Sequence, residues 1–170
     1  MTPFGTRLRE AMDTRGPLCV GIDPHASLLD SWGLADDVAG VERFSRTVVE
    51  ALAGQVAVFK PQAAFFERFG SRGVAVLERT VADVRAAGGL VVMDAKRGDI
   101  GSTMAAYAEA FLRKDSPLFS DALTVSPYLA TARWRPPWSW PGRTAPACSS
   151  SPSPPTRKGR RCSGRCARTG

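Results

Sequence analysis

A short apolar run ending in polar or charged residues occurs four times in the first 130 residues. The runs are Leu18-Cys19-Val20-Gly21-Ile22, Gln55-Val56-Ala57-Val58-Phe59, Leu90-Val91-Val92-Met93 and Ala122-Leu123-Thr124-Val125. They end at Asp23-Pro24-His25, Lys60-Pro61-Gln62, Asp94 and Ser126-Pro127-Tyr128, respectively. Continuous apolar runs of this length suit strands covered on both faces, as in a parallel sheet. Between them, apolar residues step at three or four: Val38, Val41, Phe44, Val48 and Leu52; then Val74, Leu77, Val81 and Val84; then Met104, Tyr107 and Phe111. Each series predicts one helix face. Phe65, Phe66 and Phe69 predict a helix turn at the N-terminal part of the second of these helical regions, broken near Gly70 to Gly73, and Phe4, Leu8 and Met12 predict a leading helix over Phe4 to Arg15. The strand ends repeat every 31 to 37 residues, roughly. Strand–helix alternation of this kind means a parallel sheet with crossover helices, either doubly wound or a (β/α)₈ barrel. Polar residues at every strand's C-terminal end favour the barrel, which builds its active sites there. No GxGxxG follows the first run, which weakens a dinucleotide-binding reading.

After Leu129 the periodicity stops. All 16 acidic residues precede residue 131, whereas nine of the 23 Lys and Arg residues follow it. The net charge of +7 therefore comes from the tail and says nothing about the α/β part. Residues 130–170 are rich in Pro, Ser and Arg, and as written they predict a disordered basic segment. Cys19 lies inside the first apolar run, which predicts a buried thiol in a reducing compartment. The N-terminus lacks the apolar core of a secretory signal, and no stretch reaches the length of a membrane span. The expected location is the cytoplasm.

The third strand end is the most informative segment: Asp94-Ala95-Lys96-Arg97-Gly98-Asp99-Ile100-Gly101-Ser102-Thr103. Residues two apart on a strand share a face, so Asp94 and Lys96 point the same way. Opposite charges at the end of a buried strand either pair at the surface or perform chemistry. The segment by itself fits both an ion pair followed by an Asp99 or Ser102 helix cap and a reactive site.

The four strand-end motifs in order resemble one family. Gly21-Ile22-Asp23-Pro24-His25, Phe59-Lys60-Pro61-Gln62 with Phe65-Phe66-Glu67, Asp94 to Thr103, and Ser126-Pro127-Tyr128-Leu129 are similar to orotidine 5′-phosphate decarboxylase of the actinobacterial type. The Asp-x-Lys-x-x-Asp-Ile-Gly-x-Thr core is highly specific, and the resemblance covers residues 4–129. It implies a homodimeric (β/α)₈ barrel that converts orotidine 5′-phosphate (OMP) to UMP and CO₂ in pyrimidine biosynthesis, with neither metal nor organic cofactor. It implies that Lys96 donates a proton to the C6 carbanion, and that Asp94 lies beside the departing carboxylate and, with Lys60, holds the Lys96 ammonium. Asp99 would complete the charged array in the partner's site. Asp23 and Lys60 would hydrogen-bond the ribose, Thr103 would reach across the dimer, and Ile100 would wall the base. The chemistry accounts for the residue types. A C6 carbanion is not delocalised into the ring, so a fixed cation must stabilise it, and a lysine supplies both cation and proton. His25, the only histidine, reads as a loop residue, while Ser126 fits either a site-lining role or a turn cap.

A complete (β/α)₈ barrel takes about 250 residues, and only its first four strands are matched. The resemblance places the phosphate grip on the last strands, and no counterpart of it follows Leu129. A shifted reading frame accounts for the break. With AGC for Ser139 and C before Trp138, Trp138-Ser139-Trp140-Pro141 read one base earlier encodes Leu-Glu-Leu-Ala, a helix segment. With suitable serine codons, Cys148-Ser149-Ser150-Ser151-Pro152 read likewise gives Val-Phe-Val-Leu-Ala, a strand. The shift would fall between Leu129 and Trp134. The alternative is a noncatalytic half-barrel whose basic tail, through Arg157-Lys158-Gly159-Arg160-Arg161, binds nucleic acid. Cys148, Cys162 and Cys166 are too irregularly spaced, with no histidine nearby, to predict a zinc site.

Overall fold

The strands line up side by side in chain order. In a computed structural model of the chain, which describes residues 2–126 and 147–150, five parallel strands form one sheet in the order β1-β2-β3-β4-β5. They are β1 Cys19–Ile22, β2 Val58–Pro61, β3 Leu90–Arg97, β4 Ala122–Val125 and β5 Ala147–Ser150. A doubly wound sheet reverses its order at a switch point. This sheet never reverses, so it is built as a barrel wall is. The helices are α1 Phe4–Arg15, α2 Ala26–Ser31, α3 Val38–Leu52, α4 Ala64–Glu67, α5 Gly70–Ala86 and α6 Gly101–Leu112. None of the described helices is long and apolar enough to cross a membrane.

Period two divides every strand between two layers. On one face Ile22, Phe59, Val91, Met93, Leu123 and Val125 pack with Leu29, Phe44, Val49, Leu77, Val81 and Phe111 of the helices. Those helices present most of the stripe residues read from the sequence, with Val49 and Val76 added to the core and Val74 outside it, and Asp37 caps α3 by accepting the Gly40 N–H at 2.8 Å. On the other face Val58 and Leu90 meet Phe4, Leu8, Ala11 and Met12 of α1. There α1 closes the end of the sheet where the strands begin. Its Arg7 pairs with Asp121, whose buried carboxylate also accepts the Val91 N–H at 2.8 Å. Arg15 donates to the Gly88 carbonyl at 2.9 Å. Residues 60, 94, 96 and 124 share this second face but lie nearer the strands' C-terminal ends.

Several expectations change. Cys19 is exposed, because it lies on the second face of β1, beyond the cover of α1. The third strand continues to Arg97 instead of stopping at Asp94, with a register irregularity between Met93 and Arg97. Helix α6 has Ile100 at its N-cap and no side-chain cap bond, so neither Asp99 nor Ser102 caps it. Asp99 instead accepts the N–H of its neighbour Ile100 at 2.7 Å. Helix α2 was not foreseen, since six residues give too little periodicity. Disorder was expected throughout 130–170, yet Ala147–Ser150 pairs in parallel with Ala122–Val125. That pairing satisfies the β4 backbone groups, which would otherwise form an open edge. The rest of that tail, with Pro127, Tyr128 and Leu129, lies outside the described residues.

Candidate active site

The C-terminal ends of β2, β3 and β4 bring four side chains around the Asp94 carboxylate. Lys60 Nζ reaches Oδ2 at 2.9 Å and Lys96 Nζ reaches Oδ1 at 2.6 Å. Thr124 donates its hydroxyl proton to Oδ1 at 2.9 Å. With its amide assigned so that the nitrogen faces this group, as the hydrogen-bond partners require, Gln62 donates to Oδ2 at 2.6 Å and to the Asp94 carbonyl at 3.1 Å. A carboxylate has about four lone-pair positions, so all are occupied. The loop after β2 is pinned from both sides: Gln62 N–H donates to the Ile22 carbonyl and Ala63 N–H to the Asp94 carbonyl, each at 3.1 Å.

The charges are fixed by this geometry. Burial opposes the negative charge on Asp94, but hydrogen bonds from Lys96, Lys60 and Thr124 and the charge of Lys60 outweigh it. Its pKa lies below the ordinary aspartate value. Burial also opposes the Lys60 ammonium, yet its hydrogen bond to Asp94 and the charges of Asp94 and Asp23 raise its pKa. Although the Cys19 residue is exposed, desolvation by its neighbours raises its thiol pKa, against the nearby Lys60 charge. The Asp94 side chain is 11% exposed and that of Lys96 59%, so the second ammonium is anchored at its base and open to a ligand.

Lys96 also has an unusual backbone. Its φ is +47°, and it is the only described non-glycine residue with a positive φ. Such a conformation costs of order 1–3 kcal/mol, persists only where its surroundings enforce it, and concentrates at functional sites. Here the Lys96 N–H donates to Thr124 Oγ1 at 3.0 Å. Arg97 turns to the opposite face, where it pairs with Glu67 and stacks near Tyr107 and Phe111.

Of the residues singled out from the sequence, Lys60, Asp94 and Lys96 converge. Asp23 stands at the end of β1, where its charge acts on Lys60. A Cβ at position 21 would come within 2.2 Å of its carboxylate, so Gly21 leaves the space that Asp23 occupies. Asp99, Ile100 and Thr103 stand around the start of α6 and are not among the side chains bonded to Asp94; Ile100 is 55% exposed and Thr103 is exposed. Ser126 donates its backbone N–H to the Arg97 carbonyl at 2.8 Å, which ties the end of β4 to β3. His25 leads into α2 and packs edge-on against Phe65. Sequence reasoning gave no role to Gln62 or Thr124. A signal was available for Thr124: it is the one hydroxyl in an otherwise apolar strand.

The family model described as orotidine 5′-phosphate decarboxylase / HUMPS family matches residues 16–133. The chain belongs to this family. A curated orotidine 5′-phosphate decarboxylase from Streptomyces coelicolor is 80% identical over 136 residues, covering 80% of this chain and 49% of the relative. One from a Nocardioides species is 68% identical over 129 residues, covering 76% and 47%. The crystal structure of a Streptomyces avermitilis protein superposes with a TM-score of 0.79 at 82% identity, over 81% of this chain and 48% of that one. The Leishmania donovani OMP decarboxylase superposes with a TM-score of 0.69 at 33% identity, over 88% and 53%. The chain thus spans about half the length of the curated relatives it matches. Its parallel sheet and helices have the decarboxylase TIM-barrel fold over that half.

Proposed function

We propose that this decarboxylase-family chain carries the charged centre for converting orotidine 5′-phosphate to UMP and CO₂. The observation that carries the reading is one buried carboxylate, Asp94, anchoring two ammonium groups on the open face of the sheet. In the reaction the C6–carboxylate bond breaks, CO₂ leaves and the electron pair stays on C6. The Lys96 ammonium stabilises that charge as it forms and then transfers a proton to C6. Solvent returns the proton to the amine. Asp94 aims Lys96, while Lys60 and Asp23 bind the ribose hydroxyls. A fixed cation and a proton are all the chemistry requires, which supports a lyase that works without a cofactor. The position of Asp99 and Thr103 at the start of α6, outside the Asp94 cluster, suits the family's homodimer, in which each subunit lends these two residues to its partner, while Ile100 walls the base. The setting proposed is the cytoplasm.

We further propose that the chain departs from the family after Leu129 through a reading-frame shift, and that residues 130–170 are out of frame. The family match ending at residue 133 supports this. Binding at a remote phosphate contributes to the chemical step as well as to affinity. The chain is therefore expected to form no UMP above background, and the chain with its frame restored after Leu129 is expected to form it. Lys96→Ala in the restored chain should abolish turnover. A restored chain that folds and dimerises yet makes no UMP would sink the reading, as would full activity in the Lys96→Ala variant. Sequencing the DNA around codon 130 tests the frame independently. No observation among the described residues favours the noncatalytic nucleic-acid-binding alternative.

A further inference from the structure

We infer that Thr124 is a positioning residue of this site: its hydroxyl locks the Asp94 carboxylate and the left-handed Lys96 backbone to each other. The inference rests on the decarboxylase reading for its purpose, but not for its geometry. Direction follows from donor and acceptor counts. The Lys96 N–H can only donate, so at 3.0 Å Thr124 Oγ1 must accept from it. A threonine hydroxyl has one proton, and the remaining contact, Asp94 Oδ1 at 2.9 Å, must receive it. The hydroxyl therefore has a single orientation. It joins the ends of the Asp94-Ala95-Lys96 tripeptide by a bridge from the neighbouring strand.

The bridge has a purpose at both ends. At Lys96, φ is +47°, which an L-residue keeps only when something holds it. The N–H bond to Thr124 is such a constraint, from a strand paired with β3 at Val92↔Ala122 and Met93↔Leu123. At Asp94, the hydroxyl takes the second position on Oδ1, beside the Lys96 ammonium, as Gln62 takes the second position on Oδ2 beside Lys60. Removing the hydroxyl leaves Oδ1 with the Lys96 ammonium as its one hydrogen-bond partner among the described residues. The groups facing Asp94 are Lys60 and Gln62 from the β2 side, Lys96 on its own strand and Thr124 from β4. Thr124 is the only one of these from β4. It is 8% exposed, so water does not readily take its place.

The test needs no substrate. The chain is labelled with aspartate ¹³Cγ, and the Asp94 carboxylate is titrated by NMR in the parent, Thr124→Val and Thr124→Ser. Asp94→Asn assigns the signal. Thr124→Ser should titrate as the parent does. Thr124→Val keeps the shape but lacks the hydroxyl, and should move the Asp94 midpoint up by about one pH unit, the scale of one hydrogen bond to a charged group. It should also shift the Lys96 amide ¹⁵N resonance. Should Thr124→Val not fold, Thr124→Ala supplies the same comparison. Titration unchanged in the valine or alanine variant, or a serine variant behaving like valine, overturns the proposal. Because the readout is the carboxylate itself, failed decarboxylation in the restored chain would leave this result standing, and an unchanged midpoint would leave the decarboxylase reading standing.

Discussion

Asp94 is held ionised by its neighbours, and that fixes how stability must depend on pH. Its pKa is depressed from 3.8, so the stability it contributes is present above that value and is lost as pH falls through the folded value below it. Lys60 is raised from 10.5, so its contribution is present below that value and lost as pH rises through the folded value above it. The cluster should therefore contribute a plateau from about pH 5 to pH 9. Urea midpoints of the parent and Asp94→Asn should differ by a constant amount across that range, and the gap should close only in stronger acid. A gap that narrows between pH 7 and pH 5 would show that the carboxylate is not held in this way. Period two was enough to read from the sequence that Asp94 and Lys96 share a face. Gln62 and Thr124 were not legible as their partners, because cross-strand register is set by the pairing of distant segments. The φ of Lys96 was also hidden, since nothing in a lysine's side chain announces a left-handed backbone.

Helix α5 packs against α4 through a glycine whose substitution reverses the usual propensity argument. Alanine in a helix interior is ordinarily favoured over glycine by about 1 kcal/mol. At Gly73, however, a Cβ would fall 2.0 Å from the Phe66 carbonyl oxygen and 2.9 Å from the Phe69 Cβ. Backbone cannot yield as a flexible side chain does, and overpacking costs about 1–3 kcal/mol. Gly73→Ala should therefore destabilise the chain by about 1–2 kcal/mol net, measured by urea denaturation. Gly5→Ala in α1, with nothing within 4 Å of the new Cβ, should be neutral or stabilising by up to about 1 kcal/mol. Equal effects at the two sites would remove the close α4–α5 approach from the account. The long elements were legible because their stripes repeat over several turns, as in α3 with Val41, Phe44 and Val49 buried. Helix α4, only four residues long, showed as a Phe-Phe turn, and α2 did not show. The end of β3 reads as Asp94 because the apolar run stops there, whereas charge there marks chemistry and the strand runs on to Arg97.

For the whole molecule, strand–helix alternation and polar strand ends were sufficient to place the chain in a parallel barrel wall, and the order β1-β2-β3-β4-β5 agrees. What alternation does not encode is how a partial wall treats its edges. Among the described residues β1 pairs only with β2, and Leu18 beside it is 56% exposed. An unprotected parallel edge invites other chains. The chain should therefore associate beyond a dimer as its concentration rises, and Leu18→Lys should reduce that association in sedimentation velocity. A parent that stays a monomer or dimer at every concentration would contradict this. Because the strands neighbour one another in the order of translation, each can dock on its predecessor as it leaves the ribosome, without waiting for distant chain. Helix α1 is the exception: its apolar contacts wait for Val58 and Leu90, its Arg15–Gly88 bond spans 73 positions, and its Arg7–Asp121 ion pair spans 114. Synthesis must pass the start of β4 before it can form. Helix α1 thus docks only once β2 and β3 are in place and is fastened last by Asp121, which makes that ion pair a marker of when this half of the wall has finished folding.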